Sequence, residues 1–328
     1  MRFVTNLLLP RPHRVVATAL AASLSLMPIA NAQSPVAQDR LVEPATAVAA
    51  ATAGGAPSSA PATIRFRLQA AAVGDTVDQR LAVELALATK ITQSGQVAHE
   101  STNEMRRQQQ RTIEVLEIAD GRAAKARVAF ALSRRQSPEN ADPNKLMTQP
   151  IEGKSYLMAR DGEQLTVTDL AGAIPPMDQF KLVAESLENV GKPNPLATLL
   201  VNRRVAVGEL IRVPRDMVQP LLGLDDPLGT VHRFELTLAR IEPPAADRPT
   251  ELAVFATTIE VRPNDVSPLT INLAGEMAIE IGSCRLTSVN LSGPVQLSSI
   301  ERTAGGIFQF SAGGELKLAI RSEYGSVK

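Results

Sequence analysis

From Thr63 onward the chain alternates apolar and polar residues with a period of two. Leu81, Val83, Leu85, Leu87 and Ile91 share one side, with Glu84 and Lys90 on the other. Leu269, Ile271, Leu273, Met277, Ile279 and Ile281 repeat the pattern opposite Thr270, Asn272, Glu276 and Glu280. Phe308, Phe310, Leu316, Leu318 and Ile320 do so again, against Gln309, Glu315, Lys317 and Arg321. Successive side chains of a strand point to opposite faces, so this alternation predicts antiparallel strands with one buried and one wetted face. Weaker alternation covers residues 64–71, 112–118, 124–132, 154–168, 231–240, 251–261 and 286–299. Asp120-Gly121 and Asp161-Gly162 fall between such runs and predict hairpin turns, because glycine tolerates positive φ.

The predicted strands are long, and glycines interrupt them at Gly275, Gly293 and the Gly313-Gly314 pair. Glycine within a strand marks a bend, a bulge or a close backbone approach, and Pro294 suits an edge or a bulge. Gly313-Gly314 reads equally as a bend or as a hairpin turn. Long strands bent at glycine make a curved sheet. The expected fold class is therefore mainly β (α+β): a long, strongly curved antiparallel sheet, a half-barrel, with two or three short helices on its concave side.

Those helices come from the one region where the period changes. Phe180, Val183, Ala184, Leu187 and Val190 lie at helical spacing, with Gly191 placed to end the helix. Asn194-Pro195 supplies an N-cap and a first-turn proline for a second helix carrying Leu196, Leu199 and Leu200. A third, short helix is expected over 215–222, where Pro220 weakens it. Each is amphipathic and needs an apolar surface to lie on, which the concave face provides. A faint echo, Val73-Gly74-Asp75 and Val207-Gly208-Glu209, leaves open whether the body 63–328 is undivided or consists of two similar halves, 63–170 and 205–328, joined by a helical segment 177–204.

The N-terminal sequence reads as an address. Arg2, Arg11, His13 and Arg14 precede an apolar run from Val15 to Ala30, and Ala30-Asn31-Ala32 fits a small-residue cleavage site. This is the pattern of a bacterial secretory signal peptide over 1–32, so periplasmic or secreted localisation is expected, with no transmembrane segment after cleavage. Residues 33–62 hold ten alanines and four prolines and too little branched apolar surface to offset ordering entropy. They are expected to form a disordered linker.

Composition narrows the function classes. The 34 basic and 34 acidic residues balance, which argues against a nucleic-acid partner. With no tryptophan and two tyrosines, the chain lacks stacking platforms for bases or sugars. No nucleotide-binding loop, nucleophile elbow or zinc-protease motif occurs. Cys284, His99 and His232 are the conceivable nucleophile and bases of the body, but a catalytic thiol needs an adjacent base and a lowered pKa. Cys284 reads instead as a semi-buried structural residue, His232 as a core-edge histidine and His99 as a solvated one. Asp225-Asp226 reads as turn chemistry rather than a calcium loop. The polar string Met105–Arg111 reads as a charged, solvent-facing strand edge; the other reading is a contact for an anionic partner. No catalytic residue, metal site or cofactor is expected.

The long-stranded curved sheet, the few helices and the export signal resemble the LolA/LppX-type lipoprotein carriers, at the level of strand pattern from Thr63 to Tyr324. The local strings also look like those of uncharacterised β-rich exported bacterial proteins. The chain departs from many relatives of that fold in lacking a lipid-anchoring cysteine at the end of its signal. The resemblance implies an exported envelope protein that shelters a lipid or other apolar small molecule in a curved-sheet cavity. Phe180, Val183, Leu187, Leu196 and Leu200 would then form a lid, and Leu273, Met277, Phe308 and Phe310 part of the floor. The alternative is a non-catalytic structural or interaction protein with a filled core, recruiting an envelope protein.

Overall fold

The computed structural model describes residues 62–136, 145–215, 217–218, 230–246, 248–264, 267–303 and 306–326. The expected signal peptide, the expected linker up to residue 61, most of the expected third helix and Asp225-Asp226 lie outside these residues. The described chain is mostly β. Strand β1 (Thr63–Arg65) precedes two long strands, β2 (Asp75–Gln93) and β3 (Gln96–Ala119). Next come β4 (Arg122–Gln136), β5 (Leu146–Thr148), β6 (Ser155–Asp161) and β7 (Gln164–Asp169). Two helices follow, α1 (Met177–Leu187) and α2 (Pro195–Leu200), and then β8 (Arg204–Ala206) and β9 (Leu210–Arg212). The C-terminal part is a run of long strands: β10 (Thr230–Glu242), β11 (Leu252–Arg262), β12 (Leu269–Glu280), β13 (Leu286–Thr303) and β14 (Gly306–Ser326).

Twelve strands make one antiparallel sheet in the order β7-β6-β4-β3-β2-β14-β13-β12-β11-β10-β9, with β5 paired to β4. The sheet is not closed. The seam between β2 and β14 joins the first and last long strands, so both sequence halves contribute to a single sheet. Local chemistry sets the turns as expected: Asp120 and Gly121 both hold positive φ, 51° and 71°, which matches a two-residue hairpin turn to the strand twist. Asn194 caps α2, its side chain accepting from the Leu196 N–H at 3.0 Å, with Pro195 in the first turn.

Register places the expected apolar stripes on one inner face. Val83 lies beside Leu318, Leu318 beside Leu291, and Leu291 beside Gly275. Both helices pack on this face. Residues of α2 join Leu273, Met277, Phe255 and Leu316 in a large apolar cluster. Residues of α1 join Ile113, Val128, Tyr156 and Met158 in a second.

Several expectations need correction. Gly313 and Gly314 lie inside β14, paired with Gln296 and Val295, and not in a turn. Pro294 is not on an edge strand, since β13 is flanked by β12 and β14; it sits where the β12–β13 ladder lapses between Ile271–Val295 and Ala274–Ser292. At Gly275, Gly293 and Gly314 the adjacent strand passes very close. A Cβ there would lie 1.9, 1.9 and 1.7 Å from the carbonyl oxygens of Asn290, Asn272 and Ala86. His232 is exposed rather than at the core edge, because a register shift between Val231 and Arg233 displaces it from the ladder. The Met105–Arg111 string is not a solvent-facing strand edge, since β3 is paired on both sides from Arg107 onward, and Arg107, Gln109 and Arg111 are buried.

Candidate functional site

The inner face can be followed strand by strand toward the β2–β3 and β13–β14 turns. Near the helices it is covered: Val183, Leu187, Leu196 and Leu200 are each 0% exposed. Val183 and Leu187, with half-buried Phe180, belong to the cluster on β3, β4 and β6. Leu196, Leu200, Leu273 and Met277 belong to the cluster on the C-terminal strands, with Phe310 at its margin. Eight of the nine expected lining residues thus divide between two cores rather than converge on one, and Phe308 belongs to neither.

Farther along these strands the same face keeps large apolar residues, now interleaved with Thr89, Ser101, Asn103 and Ser299, while burial fades. On β2 the alternation Leu81, Val83, Leu85 is buried, whereas Leu87 and Ile91 are half-buried. Phe310 lies beside Ile91, and Phe308 two residues on lies beside Gln93; both phenylalanines are half-buried. Met105, opposite Leu85, is half-buried as well. Large apolar side chains in register on a half-covered sheet face form a surface that an alkyl chain could complete.

Between the two cores runs a buried polar row. Gln79 of β2 and Arg111 of β3 are register partners, and Gln109 follows two residues before Arg111. Arg111 donates from Nε to Gln79 Oε1 at 3.0 Å, from Nη2 to the same oxygen at 2.5 Å, and from Nη1 to the Ser186 carbonyl of α1. Gln79 Nε2 donates to Ser322 Oγ at 3.3 Å, and Gln109 Nε2 to Ser186 Oγ at 3.2 Å. Burial, reinforced by neighbouring Arg107, pushes the Arg111 guanidinium down to about 9. Arg160 of β6 approaches α1 from the other side, with Nε donating to Val190 O and Nη2 to Glu188 O, both at 2.6 Å. Two cations therefore meet the carbonyl end of α1, where the helix dipole favours positive charge. The alternation that revealed the apolar strands hid this row, since polar residues facing inward look the same in sequence as polar residues facing out.

The conceivable nucleophile and bases lie in unlike surroundings. Cys284 is fully buried, and burial pushes its thiol up to about 12, the reverse of what a nucleophile needs. Its carbonyl accepts from Asn194 Nδ2 at 3.0 Å, which ties the β12–β13 turn to the start of α2. His99 and His232 are exposed. Among the described residues no group of three or more His, Cys, Asp or Glu side chains is placed to hold a metal.

No protein-family model matches the chain, and no curated protein matches it in sequence. Among solved structures it has a weak likeness to one reporting lipid–protein interactions in lipovitellin. That likeness has 10% identity and a TM-score of 0.36, and covers 80% of this chain and 26% of the other. The chain thus spans about a quarter of that protein's length. A LolA-superfamily protein from Nitrosomonas europaea aligns at 11% identity and a TM-score of 0.14, over 75% of this chain and 86% of that one. At these scores the likenesses carry no argument about function, and the expected family resemblance remains a weak one.

Proposed function

We propose that the chain is an exported, non-enzymatic envelope protein that holds a lipid tail or another apolar small molecule against the inner face of a curved sheet. One observation carries this reading: Leu87, Ile91, Met105, Phe308 and Phe310 stand only half-buried on this face, where the residues nearer the helices are fully buried. Aliphatic and phenylalanine side chains gain from burial at roughly 25 cal/mol per Å² and impose little geometry, which suits flexible acyl chains. Curvature is supported by the three inner-face glycines, whose missing Cβ atoms let neighbouring strands approach on one side only. Export is supported by the charged head, apolar run and Ala30-Asn31-Ala32 exit of the first 32 residues. In this reading Phe308 and Phe310 are floor, and the ligand lies beside the helices. Val183, Leu187, Leu196 and Leu200 would act as a lid only by leaving the cores they fill.

A filled scaffold that recruits an envelope protein is the second reading, favoured by the complete burial of those four side chains. Displacement of a fluorescent fatty acid by phospholipid separates the two. The carrier reading expects saturable uptake by the full chain and its loss in I91D/F310D, with an unchanged urea midpoint for a Lys90→Gln control. No uptake by the folded wild type, or equal uptake by I91D/F310D, would leave the scaffold reading.

A further inference from the structure

A second feature lies on the opposite side of the β1 strap. Phe66, just after β1, stacks on Phe255 with ring centroids 6.1 Å apart, and Ile64 packs against the same apolar cluster. Fixing these alternate residues inward turns Arg65 and Arg67 outward, and both are exposed. They line a half-open groove of about 400 Å³ with Thr63, Glu251, Ile281 and Gly282. The walls are tied together by backbone bonds, Arg67 N–H to Ile281 O at 2.9 Å and Ile281 N–H to Glu251 O at 3.1 Å. Pairing of β1 with β8 adds Arg204 directly opposite Arg65, on the same face of the ribbon.

Like charges directly opposite on paired strands destabilise the ladder. Here two arginines occupy such a pair, a third follows two residues on, and none of the three has a carboxylate in ion-pair reach among the described residues. Their neighbour Arg203 behaves differently, pairing with Glu209 at 2.9 Å. Glu251 brings one carboxylate to the lining, against the guanidinium groups of Arg65 and Arg67, with Arg204 paired opposite Arg65 on the same face of the ribbon. Planar guanidinium forks match the oxygens of phosphate in bidentate fashion, and the groove falls within the size range of small-ligand sites. We propose that this groove binds an oxyanion of the phosphate type, presented as a free phosphate ester or as a phospholipid headgroup, with Arg65, Arg67 and Arg204 as donors. The proposal does not depend on the inner face holding a lipid.

The test titrates the full chain with inorganic phosphate and glycerol phosphate by calorimetry. In parallel the protein is sedimented with vesicles of phosphatidylcholine alone or in equal parts with phosphatidylglycerol. R65Q/R204Q removes two donors at exposed positions; R80Q/R302Q removes the same charge elsewhere on the exposed surface. The expected result is saturable binding that weakens about tenfold in R65Q/R204Q and is retained in R80Q/R302Q. Binding of the soluble phosphates identifies a free ester, and binding only to the anionic vesicles identifies a headgroup. Absence of binding to every probe, wild-type binding by R65Q/R204Q, or an equal loss in R80Q/R302Q would overturn the proposal.

Discussion

Adding one methyl group at either of two adjacent residues should have opposite effects on stability. A Cβ at Gly314 would lie 1.7 Å from the Ala86 oxygen, 2.8 Å from its carbonyl carbon and 3.0 Å from the Leu87 Cα. An ordinary carbon–oxygen contact is about 3.3 Å, so β14 and β2 must part locally by roughly 1.6 Å. Hydrogen bonds near 2.9 Å do not survive that separation, and two or three ladder bonds at about 1 kcal/mol each would be lost or strained. Gly314→Ala is therefore expected to destabilise by about 2–4 kcal/mol, strain at the seam included. At Gly313 a Cβ meets nothing within 4 Å. Gly313→Ala should be neutral or stabilise by up to about 1 kcal/mol, through reduced freedom of the unfolded chain. Urea unfolding followed by far-ultraviolet circular dichroism measures both, with equal slopes required for the comparison. Equal midpoints for the two variants, or a Gly314→Ala protein as stable as wild type, would refute the close approach and the curvature argued from it.

Three further outcomes follow from the same cores. Leu200→Ala empties a fully buried position beneath α2 and should cost about 2–5 kcal/mol in urea unfolding; a cost below 1 kcal/mol would mark α2 as loosely seated. Asp75→Ala leaves Arg285 buried without its 2.8 Å partner, beside the Tyr324 ring at 5.1 Å, and should destabilise by about 3–5 kcal/mol. The Cys284 thiol titrates near 9.0 when unfolded and is pushed up to about 12 when folded, so its stabilising contribution is complete below 9 and is lost as pH rises toward 12. Relative to Cys284→Ala, the wild type should lose up to roughly 1.4 kcal/mol per pH unit across that window; parallel pH profiles would contradict the burial.

What the sequence disclosed was decided by how local the controlling interaction is. Period-two alternation at 269–281 and 308–320 reported the inner face directly, because aliphatic residues every second position have few other uses. Asn194-Pro195 announced α2, since the cap acts within its own turn. The inward-facing Arg107, Gln109 and Arg111 were illegible: their burial depends on α1, which folds over them from 75 residues along the chain at the Arg111–Ser186 contact. The Arg65–Arg204 pairing was equally hidden, because it exists only in the β1–β8 register. Gly314 left a bend and a turn equally open until its neighbour on β2 was known, as backbone clearance is a property of two strands.

In the carrier reading an apolar ligand lies over Ile91 and Phe310. Detergent-free purification of the full chain from a bacterial envelope, organic extraction and mass spectrometry test this directly. The carrier reading predicts a stoichiometric acyl-chain species with the wild type and its absence from folded I91D/F310D. A clean extract from the wild type, or the same lipid at the same level from I91D/F310D, would contradict it.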